Sequence, residues 1–384
     1  MFVLIVTRGY PTLRSPGNGI FEFDQARALA NAGQKVVFAA IDLRSLRRWR
    51  KWGVEHFIKD GVEVYAINIP LGRVPHGILC CAGKFGLRAL YQLIQREHGC
   101  PDIVHTHFLN MAEIALILKS KLQAAKFIMT EHWSLVASEK SSYPSWVKKS
   151  AESIYASYDK VIAVSPFLAN IIQKNFNRDV TCIPNMLDPI FLYDYQRKEH
   201  NNFEFVFVGN LNNNKSPLEC IQAFHDAFCE SNFTTTYGQQ IHLRLIGDGP
   251  LFHECQERIR ELKLENNVCM MGQITRDKIA DILRASDCFV LPSKLETFGV
   301  AYIEAMACGL PVIATKCGGP EFFINENNGL LIPTCDTPAL SQAFKYMLFH
   351  IGEYNPSKII LFVNNHFAPR VIASQILENY RDRM

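Results

Sequence analysis

The sequence predicts an α/β protein built from two doubly wound parallel-sheet domains. Short β-branched and apolar runs alternate with longer amphipathic segments along the 384 residues, as expected when helices cover a parallel sheet. This length corresponds to two or three domains. Apolar residues make up 48% of the chain and charged residues 20%, which is typical of a folded protein with large cores and excludes general disorder.

The predicted strands of the first half are short apolar runs with helical segments between them. They are residues 2–6, 35–41, 62–67, 103–105, 127–130, 161–164 and 180–183. Residues 21–32 have apolar side chains at helical spacing and end at Gly33, a residue that commonly terminates helices. The first helix is therefore expected directly before the second strand.

The second half repeats this alternation. Its predicted strands are residues 203–208, 242–246, 268–271, 288–291 and 312–314. The two halves meet near residues 184–189, where two prolines and an Asn-Met-Leu-Asp turn interrupt the periodicity. We therefore predict domains at 1–185 and 186–365, followed by a helical segment at 366–384. In doubly wound folds ligands bind beyond the carboxyl ends of the strands.

Composition also indicates a compartment. No apolar run approaches the ~18 residues of a membrane span, and Arg8 interrupts the first apolar run before it reaches the length of a signal segment. The twelve cysteines are scattered without a Cys-x-x-Cys pair, so we expect reduced thiols and no structural zinc. The sequence predicts a cytoplasmic protein.

Charge is divided unevenly between the halves. Residues 1–185 carry 23 Lys and Arg against 14 Asp and Glu, whereas residues 186–384 carry 17 against 23. A basic first half suits a nucleic acid, an anionic membrane surface or a phosphate-bearing substrate, and charge alone leaves these three open.

The most informative stretch runs from Ser293 to Gly309. A buried strand ends at Pro292, a loop carries Glu296, and a helix is expected to begin near Gly299, which places free N–H groups at Phe298, Gly299 and Val300. Free N–H groups at a helix start bind anions, and carboxylates accept hydrogen bonds from hydroxyls. An anion site flanked by two carboxylates suits a diphosphate joined to polyhydroxylated groups, as in a nucleotide sugar.

A plain amphipathic helix with solvated glutamates is the alternative for this stretch. The surroundings of Glu304 disfavour it, because that residue lies among Val300, Ile303, Ala305 and Ala307, where a carboxylate without a role is costly.

The stretch resembles the E-x7-E signature of the family 4 retaining glycosyltransferases, which have the GT-B fold of two facing Rossmann-like domains with a cleft between them. Further family motifs occur in the same order along nearly the whole chain. They are Tyr10-Pro11 through Gly17-Asn18-Gly19, the stretch 101–107 (PDIVHTH), Thr130-Glu131-His132, 162–169, 183–188, Val208-Gly209-Asn210-Leu211 with Lys215, 247–250 (GDGP) and 318–321 (GGPE).

The resemblance assigns roles to individual residues. Lys215 is expected to contact the leaving diphosphate, where a cation stabilises the negative charge that develops in the transition state. Glu296 would hold hydroxyls of the transferred sugar and Glu304 those of the ribose. His132 is similar to the family's active-site histidine. These assignments make Lys215, Glu296 and His132 the predicted catalytic residues.

The resemblance also implies a donor-binding set. It contains Gly17 and Gly19 of the glycine loop, and Asn210, Gly247, Gly272, Ile274, Phe298, Gly299, Val300 and Glu304. The domain at 1–185 would bind the acceptor, the domain at 186–365 the nucleotide sugar, and the helix at 366–384 would cross back to the first domain. The family usually has Gly-Arg-Leu where this chain has Gly209-Asn210-Leu211, so an arginine expected at the diphosphate is missing.

No cluster of His, Cys and Asp has the spacing of a metal site, and GT-B enzymes generally use lysine and helix N-termini instead. We therefore expect activity without a metal or other cofactor. The expected donor is a UDP-sugar, with a GDP-sugar as the alternative.

A basic aromatic cluster suggests a membrane surface. Arg47, Arg48, Trp49, Arg50, Lys51 and Trp52 follow one another without an acidic residue. Cations and indoles of this kind favour anionic headgroups. We expect peripheral contact with the inner face of the cell membrane, and a solvated surface segment is the equal alternative.

Together these observations predict a retaining glycosyltransferase that moves a hexose or N-acetylhexosamine to a glycan or a lipid-linked acceptor. Two alternatives stay open: a sugar-nucleotide epimerase that does not hydrolyse its substrate, and a catalytically silent homologue that binds nucleotide sugars. A nicotinamide dehydrogenase is disfavoured because no G-x-G-x-x-G turn follows the first strand. Nucleic-acid binding is disfavoured because no recognised module is present.

Overall fold

The structure is a computed structural model that describes residues 1–12, 15, 17–44, 50–192, 202–228 and 240–381. The chain divides into two compact units. The first contains residues 1–186 and 369–384, and the second contains residues 187–368.

The first unit is organised around an eight-stranded sheet. Its strands are β1 (Phe2–Thr7), β2 (Lys35–Asp42), β3 (Gly53–Lys59), β4 (Val62–Asn68), β5 (Ile103–His107), β6 (Lys126–Glu131), β7 (Lys160–Ala163) and β8 (Thr181–Cys182). They lie in the order β3-β4-β2-β1-β5-β6-β7-β8, and all pairs are parallel except β3 with β4. Every residue of β1 is buried, because helices cover both faces of a parallel sheet.

Among the residues that the structure describes, five α-helices connect these strands. They are α1 (Ile20–Asn31), α2 (His76–His98), α3 (Leu109–Ala115), α4 (Ser145–Ala156) and α5 (Pro166–Phe176). Helix α1 ends one residue before the predicted end, and Gly33 adopts the left-handed conformation (φ 80°) that lets the chain turn into β2.

The second unit has a six-stranded parallel sheet. Its strands are β9 (Phe203–Val208), β10 (Ile241–Ile246), β11 (Val268–Gly272), β12 (Cys288–Leu291), β13 (Val312–Thr315) and β14 (Gly329–Ile332), in the order β11-β10-β9-β12-β13-β14. The helices are α6 (Pro217–Phe228), α7 (Phe252–Glu261), α8 (Arg276–Arg284), α9 (Val300–Ala307), α10 (Thr337–His350) and α11 (Pro356–Phe367).

The last helix, α12 (Pro369–Arg381), belongs to the first unit. Its buried face joins the core formed by β1, β2 and α1, and Tyr380 contributes an aromatic ring there. The Tyr380 hydroxyl lies 2.6 Å from Nδ1 of the buried His105. A hydrogen bond thus links the end of the chain to β5.

The predicted α/β architecture with two parallel sheets is confirmed, and the predicted strands agree with observed strands to within two residues at each end. Two edge strands, β3 and β14, were not predicted. The hairpin of β3 and β4 turns at Asp60 (φ 47°) and Gly61 (φ 76°), and Asp-Gly with two positive φ angles is a common hairpin turn. This dipeptide was the available signal for β3.

The packing of α12 gives a test of the first unit's core. Ile376 is 2% exposed within that core, whereas Glu378 lies exposed on the same helix. We expect Ile376→Ala to lower the free energy of unfolding by about 2–5 kcal/mol, because truncation leaves a cavity. Urea denaturation of that variant beside Glu378→Ala measures the difference, and equal values for the two variants would contradict this packing.

Candidate active-site residues

The second unit brings three loops together at the carboxyl ends of adjacent strands β9, β12 and β13. The loop after β9 carries Lys215, the loop after β12 carries Glu296, and Gly318 and Gly319 follow β13. Parallel neighbours present these ends at the same sheet edge, which is why residues up to a hundred positions apart in sequence meet here.

Lys215 and Glu296 form an ion pair. The Lys215 Nζ contacts Oε1 of Glu296, and the Ser293 hydroxyl donates to the same oxygen at 2.6 Å. The side chains of Lys215 and Glu296 are 22% and 11% exposed, so the pair retains access to solvent. The structure thus places two predicted catalytic residues in direct contact with each other.

Backbone hydrogen bonds hold the Glu296 loop against the chain after β13. The N–H of Glu296 donates to the carbonyl of Cys317 at 3.0 Å, and the N–H of Gly319 donates to the carbonyl of Glu296 at 2.8 Å. A Cβ atom on Gly319 would come within 2.4 Å of Cα of Phe298, so only glycine fits. The position of Glu296 is therefore set by main-chain geometry.

Helix α9 begins directly after this loop. Gly299 caps it with φ 96°, and within the described residues the N–H groups of Phe298, Gly299 and Val300 donate to no backbone carbonyl. Tyr302 anchors the helix, since its hydroxyl donates to the Leu291 carbonyl at 2.6 Å. The helix start is an array of N–H donors beside Glu296.

Glu304, one turn into α9, pairs with an arginine that sequence reasoning missed. The Arg276 Nη2 lies 2.7 Å from Glu304 Oε1, and its Nη1 lies 2.7 Å from Asp188 Oδ2. Arg276 begins α8 and is 24% exposed. Its position two residues after Ile274, at the start of the helix that follows β11, was the available signal.

Three predicted donor-binding residues, Asn210, Gly247 and Gly272, lie at or just after the carboxyl ends of β9, β10 and β11 in the second unit. Gly247 follows β10 with φ 141°, and a Cβ there would come within 1.8 Å of the Gly209 carbonyl oxygen. Gly247 also donates its N–H to the Gly272 carbonyl at 2.9 Å. Asn210 is exposed, and its Oδ1 accepts from Asn212 Nδ2 at 3.2 Å. These contacts set the backbone around the missing arginine position.

In the first unit, His132 directly follows β6. Its Nε2 lies 2.9 Å from Nδ1 of His107, and their rings are stacked with centroids 5.2 Å apart. Burial, together with the nearby Arg8 guanidinium, lowers the pKa of His132 to about 3. Burial likewise lowers the pKa of His107 far below its usual value. Both imidazoles are neutral at physiological pH and act through hydrogen bonds.

Glu131 positions the segment that carries His132. This fully buried carboxylate accepts hydrogen bonds from the N–H groups of Leu109, His132 and Trp133 and from the Tyr155 hydroxyl, all at 2.9–3.0 Å. Burial raises the Glu131 pKa to about 7, against the lowering effect of these donors. Sequence reasoning missed this role, although Glu131 stands inside the Thr-Glu-His motif.

The two glycines predicted in the first loop differ in their surroundings. Gly19 has φ 72°, caps α1, and a Cβ there would come within 2.2 Å of the Gly9 carbonyl oxygen. A Cβ atom on Gly17 would meet nothing within 4 Å. Only Gly19 is required by packing.

The basic aromatic cluster needs one correction. Arg50 was predicted to face lipid, but its side chain is 5% exposed: its guanidinium lies over the Tyr10 ring at 4.0 Å and 3.4 Å from the buried Asp42 carboxylate. That ion pair removes Arg50 from the surface. Lys51 and Trp52 are exposed, Trp52 by 78%, whereas Arg47, Arg48 and Trp49 lie outside the described residues.

Comparison with known families agrees with this geometry. Residues 21–190 match the model described as Glycosyltransferase Family 4, and residues 194–350 match the model described as Glycosyl transferases group 1. The chain belongs to glycosyltransferase family 4. Its two parallel-sheet units are those of the GT-B fold, as the sequence predicted.

Individual relatives of this family 4 glycosyltransferase are distant. N-acetyl-alpha-D-glucosaminyl L-malate synthase of Bacillus anthracis is 27% identical over 348 residues, which are 87% of this chain and 84% of that protein. Sucrose-phosphate synthase of Thermosynechococcus elongatus has a similar fold with a TM-score of 0.78 at 22% identity, over 99% and 98% of the two chains. Anabaena HepE, solved with UDP and glucose, has a TM-score of 0.74 at 19% identity, over 100% and 99%.

Three side chains of the first unit, His76, Cys80 and Glu113, lie close enough together to hold an ion, although their spacing in sequence did not suggest an ion site.

None of the helices in the described part of the chain is both long and apolar enough to cross a membrane.

The buried imidazoles give a prediction for acid stability. The pKa of His107 is lower in the folded state than in the unfolded state, so the unfolded state binds more protons below pH 6.5 and stability falls as pH falls. We expect His107→Gln to reduce this dependence by about 1.4 kcal/mol per pH unit between pH 6 and 5.

Urea titrations at pH 7, 6 and 5 measure the slope. His253→Gln, at an exposed position on α7, controls for the loss of one imidazole. Equal slopes for the wild type and His107→Gln would exclude His107 as a source of acid sensitivity.

Proposed function

We propose that this family 4 glycosyltransferase moves a hexose or N-acetylhexosamine from a nucleotide sugar to a glycan or a lipid-linked acceptor, with retention of configuration and without a metal. The observation that carries the proposal is the pairing of both carboxylates of the E-x7-E stretch with cations, Glu296 with Lys215 and Glu304 with Arg276, on either side of the free N–H groups at the start of α9.

This arrangement suits a diphosphate ester with a hydroxylated group at each end. N–H groups at a helix start and the Lys215 ammonium match phosphate oxygens. Carboxylates accept hydrogen bonds from sugar hydroxyls, and Glu296 in the loop before α9 and Glu304 within α9 provide one carboxylate for each end. UDP is the preferred nucleotide, since Anabaena HepE was solved with UDP and glucose. The N-acetylglucosaminyl synthase of Bacillus anthracis supports an N-acetylhexosamine as one candidate sugar.

The chemistry follows from the charges present. The bond between the sugar C1 and the diphosphate oxygen breaks, and the acceptor oxygen bonds to C1 on the same face. The acceptor proton passes to the departing diphosphate. Lys215 and the N–H groups stabilise the negative charge that builds on that diphosphate, which is the role a metal plays in other transferases. Glu296, already held by Lys215 and Ser293, orients the sugar.

His132 fits a hydrogen-bonding role in this proposal. Because burial keeps its imidazole neutral, it can contact a sugar hydroxyl without adding charge near the reacting carbon. Gly19 shapes the loop that the resemblance assigns to the diphosphate.

A lipid-linked acceptor and peripheral attachment are supported by the exposure of Trp52 beside Lys51. An indole and a cation at the surface favour headgroups of an anionic bilayer. Arg50 takes no part, because it is bound to Asp42.

Lys215 provides the first test. We expect Lys215→Ala to lower kcat by about 10²- to 10³-fold, because one preorganised donor to the leaving group is lost. UDP release from a panel of UDP-sugars with acceptor measures turnover, and a thermal-shift panel of UDP, GDP and ADP identifies the nucleotide.

Lys294→Ala is the matched control for Lys215. That lysine lies in the Glu296 loop, but its ammonium pairs with Glu219 at 3.1 Å. We expect turnover within about twofold of wild type, in line with the small effect of exposed ion pairs. Unchanged turnover in Lys215→Ala would overturn the proposed role. Interconversion of the sugar without acceptor would indicate the epimerase, and binding without turnover would indicate a silent homologue.

Glu304 provides the second test, through recognition of the ribose. Loss of a charged hydrogen bond changes affinity about 10- to 100-fold. We therefore expect wild type to prefer a UDP-sugar over its 2′-deoxyribose analogue by at least tenfold, and Glu304→Gln to lose this preference. Arg276→Met should weaken it as well, because Arg276 orients the carboxylate.

Dissociation constants for the two nucleotides, measured by calorimetry, give the preference directly. Glu254→Gln, at an exposed position on α7, is the matched control. A preference that survives in Glu304→Gln would place the ribose elsewhere.

A further inference from the structure

A cavity of about 520 Å³ lies within the first unit, apart from the residues described above as binding the donor. Pockets of about 300–1,000 Å³ are typical of small-molecule sites. Its floor is formed by residues after β1 and β2 together with α3. One side is the start of α2, and the other is the segment that carries Trp133 and Trp146.

One wall of the cavity is a row of three stacked rings. His76 lies on Trp146 with ring centroids 3.7 Å apart and planes 5° apart, and Trp133 follows with centroids 6.0 Å apart at 29°. All three are partly exposed, so ring surface faces the cavity. Indole faces are suitable platforms for the C–H faces of pyranose rings, because they combine a large apolar area with a polar edge.

The His76 ring is held in place by its own partner. Its Nε2 lies 2.6 Å from Glu113 Oε2, and Cys80 lies beside both residues. Because the Glu113 carboxylate and the His76 imidazole are within hydrogen-bonding distance of each other, this contact fixes the orientation of the His76 ring in the aromatic row.

The lining of the cavity also includes a cation. The guanidinium of Arg8 lies over the Phe108 ring, 3.9 Å from its centroid, and the side chain is 41% exposed. Its acidic neighbour, Glu22, is 1% exposed, and one of its carboxylate oxygens lies 3.7 Å from Arg8 Nε. Because Arg8 is partly exposed and belongs to the cavity lining, its guanidinium is available to a ligand in the cavity.

The remaining charges at the cavity do not cancel this cation. Asp42 lines the wall, but its carboxylate lies 3.4 Å from the buried Arg50 guanidinium and is 1% exposed. Arg44, also in the lining, is exposed and adds a second positive charge. The cavity thus combines an aromatic wall with a cationic end.

We propose that this cavity is the acceptor subsite and that it takes a sugar bearing an anionic group, with the pyranose ring on Trp146 and Trp133 and the anion at Arg8. The inference rests on the proposed transferase function and specifies its acceptor. An anionic group would pair with Arg8 and Arg44 in the cavity lining, which a neutral glycan would not do, and a purely alkyl ligand would desolvate Arg8 and His76 without replacing their hydrogen bonds.

Tryptophan fluorescence tests the site directly. The chain has four tryptophans, so a Trp49→Phe/Trp52→Phe background leaves emission from Trp133 and Trp146 alone. The probes are the 1-phosphates of glucose and N-acetylglucosamine, their neutral methyl glycosides, and inorganic phosphate, each titrated with and without saturating UDP. We expect the sugar phosphates to change the emission at concentrations at least tenfold lower than the methyl glycosides.

Two variants separate the ring platform from the cation. Arg8→Gln should remove the tenfold preference for sugar phosphates and leave methyl glycoside binding unchanged, and Arg8→Lys should restore part of it. Trp146→Leu, which keeps apolar bulk, should weaken all sugars. Arg96→Gln removes an exposed positive charge at the far end of α2 and is the matched control. Circular dichroism verifies that each variant is folded.

The octyl phosphodiester of each sugar identifies the source of the anion. Tighter binding than the free sugar phosphate indicates a lipid-linked acceptor, and equal binding indicates a soluble one; both agree with the proposal. Emission that responds to no sugar phosphate, or a preference for phosphate that persists in Arg8→Gln, would overturn it.

Failure of this subsite is distinguishable from failure of the proposed function. A nucleotide-induced thermal shift reports the donor site independently of the acceptor. A shift with UDP, without any sugar-phosphate response, would reject the subsite alone. Absence of a shift with UDP, GDP and ADP would reject the proposed function.

Discussion

The arrangement of the candidate site residues in the second unit depends on the close approach of the loop after β12 to the loop after β13. This approach requires glycine at position 319, because a side chain there would collide with the backbone of Phe298. The hydrogen bonds between the two loops place Glu296 at the sheet edge. Lys215, in the loop after β9, forms an ion pair with this carboxylate, and the Ser293 hydroxyl donates a hydrogen bond to the same carboxylate. Since backbone contacts fix the carboxylate, the lysine and the N–H groups of α9 are positioned before any ligand arrives, which is the condition for electrostatic catalysis.

Both glutamates of the E-x7-E stretch therefore have a cationic partner. Lys215 pairs with Glu296, and Arg276 pairs with both Glu304 and Asp188. These pairs offset part of the desolvation cost of the partly buried carboxylates and hold their oxygens in fixed positions. In the first unit, burial lowers the pKa of His107 and His132 and so keeps both imidazoles neutral, and Arg8 carries a partly exposed positive charge.

Much of the fold and part of the candidate site were accessible from the sequence. Apolar runs bounded by turn residues marked the buried strands, because such strands have a hydrophobic signal on both faces. The edge strand β3 carries a weaker, alternating pattern, and its Asp60-Gly61 turn was overlooked. The exposed position assigned to Arg50 was wrong, because a run of basic residues does not reveal that Asp42 and Tyr10 lie within reach of one of them.

The sequence by itself determined the α/β class, the two sheets and the residue types near the expected anion site, since periodicity and the E-x7-E stretch are local properties of the chain. Tertiary structure decided which charges meet. Arg276 reaches Glu304 and Asp188, and Trp146 contacts both Trp133 and His76, through the packing of separate segments of the chain. No local pattern encodes such pairs, because they depend on which strand ends become neighbours and on how closely their loops approach.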